Sequence, residues 1–425
     1  MLKQYDAIII GAGASGMMAA ITAKRRGRHI LLIERNDQIG KKILVTGNGR
    51  CNISNKNVVQ DYHKPVHYFG NNPKFVLSVL NQFGLEETLE FFHDLGVEFS
   101  EEDEGRLFPI SNQAQSIVDV LLYEARELGI KIAKPNTVKN LDFDNDTQLF
   151  KLELNDGQEV ETRKLVVATG GKSHHELGAT DAGYEIATQF KHTITPTFPA
   201  YVALSVKSPL CHKLQGVKLE VKVKAFSNVA DGQGQELIAE NEGTLMFAHF
   251  GLSAPSVLEI SRQIAYELEV RKRKVKLEIN FLPSIGEHTD NNLQEIILDR
   301  WQKNPNKTLE SSFIGVLPKK VFPAILEVNG IDGKIKVAEV TKELRQKIVK
   351  LLTQYEFDID SIRGFDEAHF TAGGVDTKEV DPKTLGSKLQ KGLYFCGEIL
   401  DIDGECGGFN LQWAWSSGAV VGKNI

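Results

Sequence analysis

A strand, a glycine-rich turn and a helix open this chain, and no other stretch narrows its folding options as much. Residues 5–34 read YDAIIIGAGASGMMAAITAKRRGRHILLIE: the apolar run Ala7 to Ile10, then Gly11-x-Gly13-x-x-Gly16, an Ala- and Met-rich helix, and a second apolar run, Ile30 to Ile33, ending at Glu34. Gly11 permits the tight turn, Gly13 lets the backbone approach a pyrophosphate, and Gly16 lets helix and strand pack closely. The helix start adds amide N–H groups and partial positive charge for the phosphates. Glu34, roughly 20 residues beyond the glycines, is placed to accept hydrogen bonds from an adenosine ribose. The unit predicts an α/β chain with a Rossmann-type domain and a parallel sheet.

A single core does not grow to 425 residues, so the length predicts two or three domains. The net charge of -6 provides no general attraction to nucleic acid or to acidic membranes. Cys51, Cys211, Cys396 and Cys406 form no CxxC pair and have no zinc-like spacing. They read as thiols in a reducing compartment, with no metal. Gly11 stops the first apolar run, which excludes a signal-peptide core or a membrane span there. The expectation is a cytoplasmic protein without a membrane partner.

An ADP half is common to NAD and FAD, so the choice between them rests on later segments. Gly40 to Asn52 (GKKILVTGNGRCN) is too rich in Gly and Asn for regular structure and reads as a binding loop, in which Lys42 and Arg50 can neutralise phosphate. Leu165 to Gly171 is a buried strand ending in an ATG-like turn, and Gly392 to Glu398 is another, whose acid can reach a sugar alcohol. Gly404 to Gln412 opens a helix running through Trp413 to Val421. Its start can face a flavin pyrimidine edge, where negative charge develops on reduction. An extended FAD needs these extra sites and NAD does not. Trp413 and Trp415 read as core.

The strings TGNGRCN, ATGG, FAHFGLSAP, FTAGGVD and GEILDIDGECGGFNLQWAWSSG, in order from about Tyr5 to Gly422, resemble the BaiN/YhiN-like family of FAD-binding oxidoreductases. The resemblance implies FAD contacts at Gly11, Gly13, Ser15, Gly16, Glu34, Arg35, Lys42, Thr46, Gly47, Arg50, Asn52, Val138, Thr169, Gly170, Asp181, Gly397, Glu398, Gly408, Asn410 and Leu411. The chain departs from the related pattern at Ala182, beside Asp181, where a glycine is usual. The resemblance also implies an inserted domain, and the sequence pattern changes accordingly near Thr195. Val217, Leu219, Val221 and Val223 alternate with charged residues, as in a half-exposed antiparallel strand. We therefore expect an FAD domain from residues 1–194 and 343–425, interrupted by a β-rich, barrel-like insert with a helical portion at 195–342. Apolar spacing predicts helices at Pro73–Phe83, Glu86–Leu95 and Ala114–Leu128, and Asn155-Asp156-Gly157 predicts a hairpin.

A flavin carries the electron transfer, which leaves the protein to bind it, orient a substrate and place an acid or base. Cys51, in the glycine-rich loop, and Cys406, before the last helix, can protonate a carbon or can merely pack beside the cofactor. His249 in FAHFGLSAP is the preferred acid/base or substrate ligand, with a satisfied core histidine as the alternative. With one dinucleotide fingerprint, NAD(P)H would dock transiently as donor, or oxygen would be the oxidant. The activities implied by the resemblance are reduction of an activated C=C bond, in a small enone or in a uridine of large-subunit ribosomal RNA. The competing readings are an amine oxidase using oxygen and a binding factor with structural FAD. The RNA reading would use the basic run Arg271-Lys272-Arg273-Lys274-Val275-Lys276, which otherwise is a solvated strand edge.

Overall fold

Short runs without a polar residue, such as AIII and ILLI, have to be covered on both faces, which is the situation of a central parallel strand. In the computed structural model, which describes residues 3–228, 234–285 and 290–425, five strands, most of them such runs, form one parallel sheet. They are β1 (Ala7–Ile10), β2 (Ile30–Ile33), β3 (Lys131–Ala133), β4 (Leu165–Val167) and β5 (Leu393–Phe395), in the spatial order β5-β4-β1-β2-β3. Val166 pairs with Ile9 on one side and Tyr394 on the other. A strand from the last tenth of the chain thus completes a sheet begun by the first ten residues.

Helices α1 (Ala14–Arg25) and α2 (Phe409–Asn424) weld the two ends together. A Cβ on Gly418 would lie 2.4 Å from the Ser15 carbonyl oxygen, and one on Gly422 would lie 2.7 Å from that of Ala19. The contact is therefore backbone against backbone. Trp413 and Trp415 are core, as expected, and their indole N–H groups donate to Gly397 O at 3.1 Å and Ile53 O at 3.0 Å. A second sheet of Lys3–Tyr5, Glu159–Thr162, Leu149–Leu154 and Val138–Asp144 lies beside these elements in the chain, with the expected turn at Asn155–Gly157. The three expected helices form as Phe75–Leu80, Leu85–Asp94 and Ala114–Glu127.

The chain divides into two compact units, Met1–Thr197 with Phe370–Ile425, and Phe198–His369. The second unit continues past residue 342, where the sequence pattern had suggested a return to the first. Ile348, Val349 and Leu352 of the helix Lys342–Thr353, with Tyr355 and Phe357 of the strand after it, belong to its core. Its seven-stranded antiparallel sheet runs in the order Tyr355–Asp358, Val275–Asn280, Lys218–Asn228, Gln235–Ala248, Gly251–Ser253, Leu204–Ser205, Ser361–Ile362. The first and last strands of that order are separated in the chain only by Ile359 and Asp360. Ile359 N–H donates to Val275 O (3.1 Å) and Asp360 N–H to Ser205 O (3.0 Å), so two residues close the sheet into a barrel-like form. Leu219, Val221, Val223 and Ala225 point inward and Lys218 and Glu220 outward, as the alternation requires.

Candidate functional site

In an open parallel sheet, ligands bind beyond the carboxyl ends of the strands. Here β1 ends at Gly11, β4 at Thr169-Gly170-Gly171 and β5 at Gly397-Glu398. Gly11 has φ +104°, and a Cβ there would meet Ala168 O at 2.4 Å; one on Gly16 would sit 1.8 Å from Gly11 O. These two glycines are demanded by the fold. Gly13 differs, because its φ is −78° and a Cβ would have nothing within 4 Å. The space beside it is the cradle a pyrophosphate would fill. Glu34 Oε2 accepts the Ala12 N–H at 2.8 Å, and Oε1 accepts from Asn36 N–H (2.9 Å) and Nδ2 (3.0 Å). The carboxylate therefore fixes the turn and keeps a lone pair on Oε2 for a ribose hydroxyl. Asn136 N–H donates to Glu34 O (2.7 Å), which brings Val138, two residues on, near this end of the sheet.

Glu398 acts as a hub. Its Oε2 accepts from Lys42 Nζ (2.6 Å) and Gly171 N–H (3.2 Å), and its Oε1 from Thr371 N–H (2.8 Å). Burial raises its pKa, but the Lys42 charge and hydrogen bond, with the two backbone donors, outweigh burial and leave the carboxyl below its usual range. Gly397 allows the close approach of Ser15, whose Oγ would lie 2.4 Å from a Cβ there. Ser15 Oγ itself donates to Cys396 O at 3.4 Å.

The segment Gly40–Asn52 is more regular than its composition suggests, with a helix at Lys41–Val45 and a 3-10 turn at Thr46–Gly49. Thr46 Oγ1 donates to Ile43 O at 2.7 Å, and Gly47 (φ +57°) leaves room for Asn52 and Phe108. Both cations expected to meet phosphate are already neutralised. Lys42 pairs with Glu398, and Arg50 makes a two-pronged pair with Glu102 (2.5 and 3.2 Å) over the Phe108 ring. Arg35 is exposed and donates to Gly178 O (3.5 Å). Asp181 stands at the start of the helix Ala182–Gln189 and pairs with Lys172 at 2.9 Å. Asn410 spends its amide on Gly404 and Glu405, pinning the loop before α2, while Leu411 is half-buried.

Asn52 and Gly408 come together at the start of α2, where a Cβ on Gly408 would lie 3.0 Å from Asn52 Oδ1. Asn52 Oδ1 and Thr169 Oγ1 are buried without a hydrogen-bond partner. Leaving such groups unmatched costs about 1–3 kcal/mol each, so they point to a bound polar partner. The open cradle at Gly13, the remaining Glu34 lone pair and these two atoms fit an extended dinucleotide along the strand ends.

The three candidate proton donors occupy unlike environments. Cys51 is fully buried with φ +62°, and burial pushes its thiol up to about 12 despite a hydrogen bond with Thr46. It is a neutral packing thiol here, with no exposed surface to offer a substrate. Cys406 is exposed, two residues before Gly408. His249 is exposed at the turn between Gln235–Ala248 and Gly251–Ser253, its ring edge-on to Phe250, so it is not a core histidine. One pair escaped the sequence reading. Asp61, fully buried, accepts from His67 N–H (2.9 Å) and meets His67 Nδ1 at 2.7 Å, and the His67 ring stacks on Phe409 at 4.4 Å. No spacing rule marks an Asp and a His six residues apart; packing on α2 brings them to the site.

Four of the five cations of the basic run pair with three acids. Arg271 and Arg273 share Glu267, Lys272 pairs with Glu269, and Lys276 with Glu356. Among the described residues no group of His, Cys, Asp and Glu is gathered to hold a metal, and no helix is long and apolar enough to cross a membrane.

The parallel sheet, the Gly11–Gly16 turn with its acid and the third strand end at Gly397 define a flavoprotein oxidoreductase of Rossmann type, with FAD as the dinucleotide. The family model described as HI0933-like protein Rossmann domain matches residues 5–424, and the chain belongs to that family. It is 36% identical over 417 residues to a 3-dehydro-bile acid delta(4,6)-reductase of Clostridium scindens, covering 98% of this chain and 97% of the relative. It is 34% identical over 424 residues to a ribosomal RNA dihydrouridine synthase of Escherichia coli K12, covering 100% and 98%. Among solved structures, a 3-ketosteroid delta1-dehydrogenase from Sterolibacterium denitrificans aligns with TM-score 0.52 at 12% identity over 99% of both chains. A flavocytochrome c3 fumarate reductase aligns with TM-score 0.51 at 14% identity over 99% of this chain and 78% of the other. At such identities these two likenesses concern the fold.

Proposed function

We propose that this chain reduces an activated carbon–carbon double bond in a small enone, with NAD(P)H as the electron source. FAD, when bound, supplies two-electron transfer to one carbon of the double bond. The chain's part is to hold the cofactor through the Gly13 cradle, Glu34, Thr169 and Asn52, to orient the substrate and to deliver a proton to the second carbon. Cys406 and the Asp61–His67 pair flank the start of α2, and both present the chemistry of a proton donor. Asp61 fixes the His67 ring through Nδ1 and leaves Nε2 for exchange. We assign His249 a role in turnover as well, a reading supported by its place in FAHFGLSAP, where it is exposed.

The observation that carries the small substrate over RNA is the pairing of four of the basic run's five cations with Glu267, Glu269 and Glu356. A cation shared with a carboxylate gains less from a phosphate contact. The test is anaerobic stopped-flow spectroscopy of the holoenzyme. Bleaching of the flavin by NADH or NADPH, followed by reoxidation on adding a steroid-type 4-en-3-one, is the expected result. The ribosomal RNA reading, supported by the dihydrouridine synthase relatives, predicts instead that a deletion strain loses one dihydrouridine in large-subunit RNA. That loss, with no reoxidation by enones, would overturn our choice of substrate. Absence of bleaching by either nicotinamide, with peroxide formed from amines, would favour an oxidase.

A further inference from the structure

We propose that the second unit carries a binding site for a phosphorylated ligand of mononucleotide size, separate from the strand ends that hold FAD. A cavity of about 370 Å³ lies on the last turns of the helix Asp290–Gln302 and the segment that follows it. Its walls include Arg300, Trp301, Lys303, Lys307 and Ser312, with Asp299 the one acid among them. Three cations against one anion leave a surplus of two positive charges, the complement of a phosphate monoester dianion.

Two further observations show a built site. Trp301 is 4% exposed and Ser312 2% exposed, and the indole Nε1 and the serine Oγ are both buried without a hydrogen-bond partner. An indole N–H can only donate, and a serine hydroxyl can donate as well. Both lie on the wall of a cavity that already gathers cationic donors, so the missing partner is an acceptor. The framework around them is fixed. Arg300 donates from Nε to Ser312 O (2.7 Å) and from a terminal nitrogen to Ile314 O (2.9 Å), which ties the helix to the segment carrying Ser312. Lys303, exposed near the helix end, pairs with Asp299 at 2.6 Å. The Lys307 backbone is anchored by Val337 N–H to Lys307 O (3.0 Å). Phosphate oxygens match this set of an indole N–H, a hydroxyl and two ammonium groups, and the volume lies in the range of small-ligand pockets.

Trp301 is also the reporter. The other two tryptophans are core residues of the first unit, so ligand-dependent emission of the holoenzyme can be traced to Trp301 with Trp301→Phe. With FAD already bound, adenosine monophosphate is titrated against adenosine and inorganic phosphate. The expected result is a saturable change with the monophosphate, competition by phosphate and none by adenosine. The change should be absent in Trp301→Phe. Equilibrium dialysis should show affinity at least about tenfold weaker in Lys303→Gln/Lys307→Gln, as two lost charge-assisted bonds imply, and weaker in Ser312→Ala. Thermal melts and flavin content of these variants should match the parent. Absence of saturable binding, or binding equal in the double lysine variant, would overturn the proposal. Binding of a short RNA with no response to the monophosphate would also overturn it, in favour of a nucleic-acid contact.

Discussion

The glycines of the opening turn are not equivalent, and their difference separates folding from cofactor binding. A methyl group on Gly16 would run into Gly11 O, whereas one on Gly13 would enter open space at an ordinary φ. Gly16→Ala should therefore lower stability, by about 1–3 kcal/mol as overpacked sites do. Gly13→Ala should melt like the parent and lose flavin, read as the ratio of flavin to protein absorbance; a fully yellow Gly13→Ala protein would remove the cradle from the site. Glu398 makes a second residue-scale prediction. Its folded pKa lies below the ordinary value of 4.5, so its contribution to stability is present above that value and is lost as pH falls through the folded one. The parent should lose melting temperature on acidification more steeply than Glu398→Gln, which cannot titrate. Equal slopes would show that the Lys42 pair contributes nothing.

Between elements, the contact of α1 with α2 is what makes a Rossmann domain out of two distant chain segments. An exposed helical glycine changed to alanine gains about 1 kcal/mol from helix propensity. Gly418→Ala should go the other way, because the new methyl would lie 2.4 Å from the Ser15 carbonyl oxygen and the helices would have to separate. Thermal denaturation gives the sign directly. The same separation would pull Gly397 and Gly408 away from Gly11, so flavin should dissociate more readily from this variant. The loop Gly40–Asn52 shows the opposite relation of composition to structure: its glycines tolerate left-handed backbone at Gly47 and Gly49, and Asn48 and Cys51 share it. Those turns seat Asn52 against Gly408, where its unpartnered carbonyl awaits a donor.

For the molecule as a whole, the core of the first unit draws on residues up to Ile194 and from Val375 onward and takes none from Phe198–His369. Replacing Phe198–His369 by a short flexible linker should accordingly leave a yellow, folded protein without turnover, and a colourless aggregate would refute that independence. His249→Ala in the full chain should likewise keep its flavin and lose turnover. What the sequence determined by itself was the local chemistry: a dinucleotide turn, two further strand ends, an insert with alternating strands and the family that combines them. Each of these is written in short-range spacing of Gly, apolar and acidic residues, which is where backbone preferences act. Only the tertiary structure decided which charges remain available. Lys42, Arg50 and Lys276 look like ligands for phosphate in one dimension, but Glu398, Glu102 and Glu356, up to hundreds of residues away, pair with them. It also decided that Cys51 is sealed while the Asp61–His67 pair reaches α2, and that Trp301 and Ser312 share a cavity wall. Pairing and burial depend on which distant segments meet, and that is fixed by packing of the whole chain rather than by any local pattern.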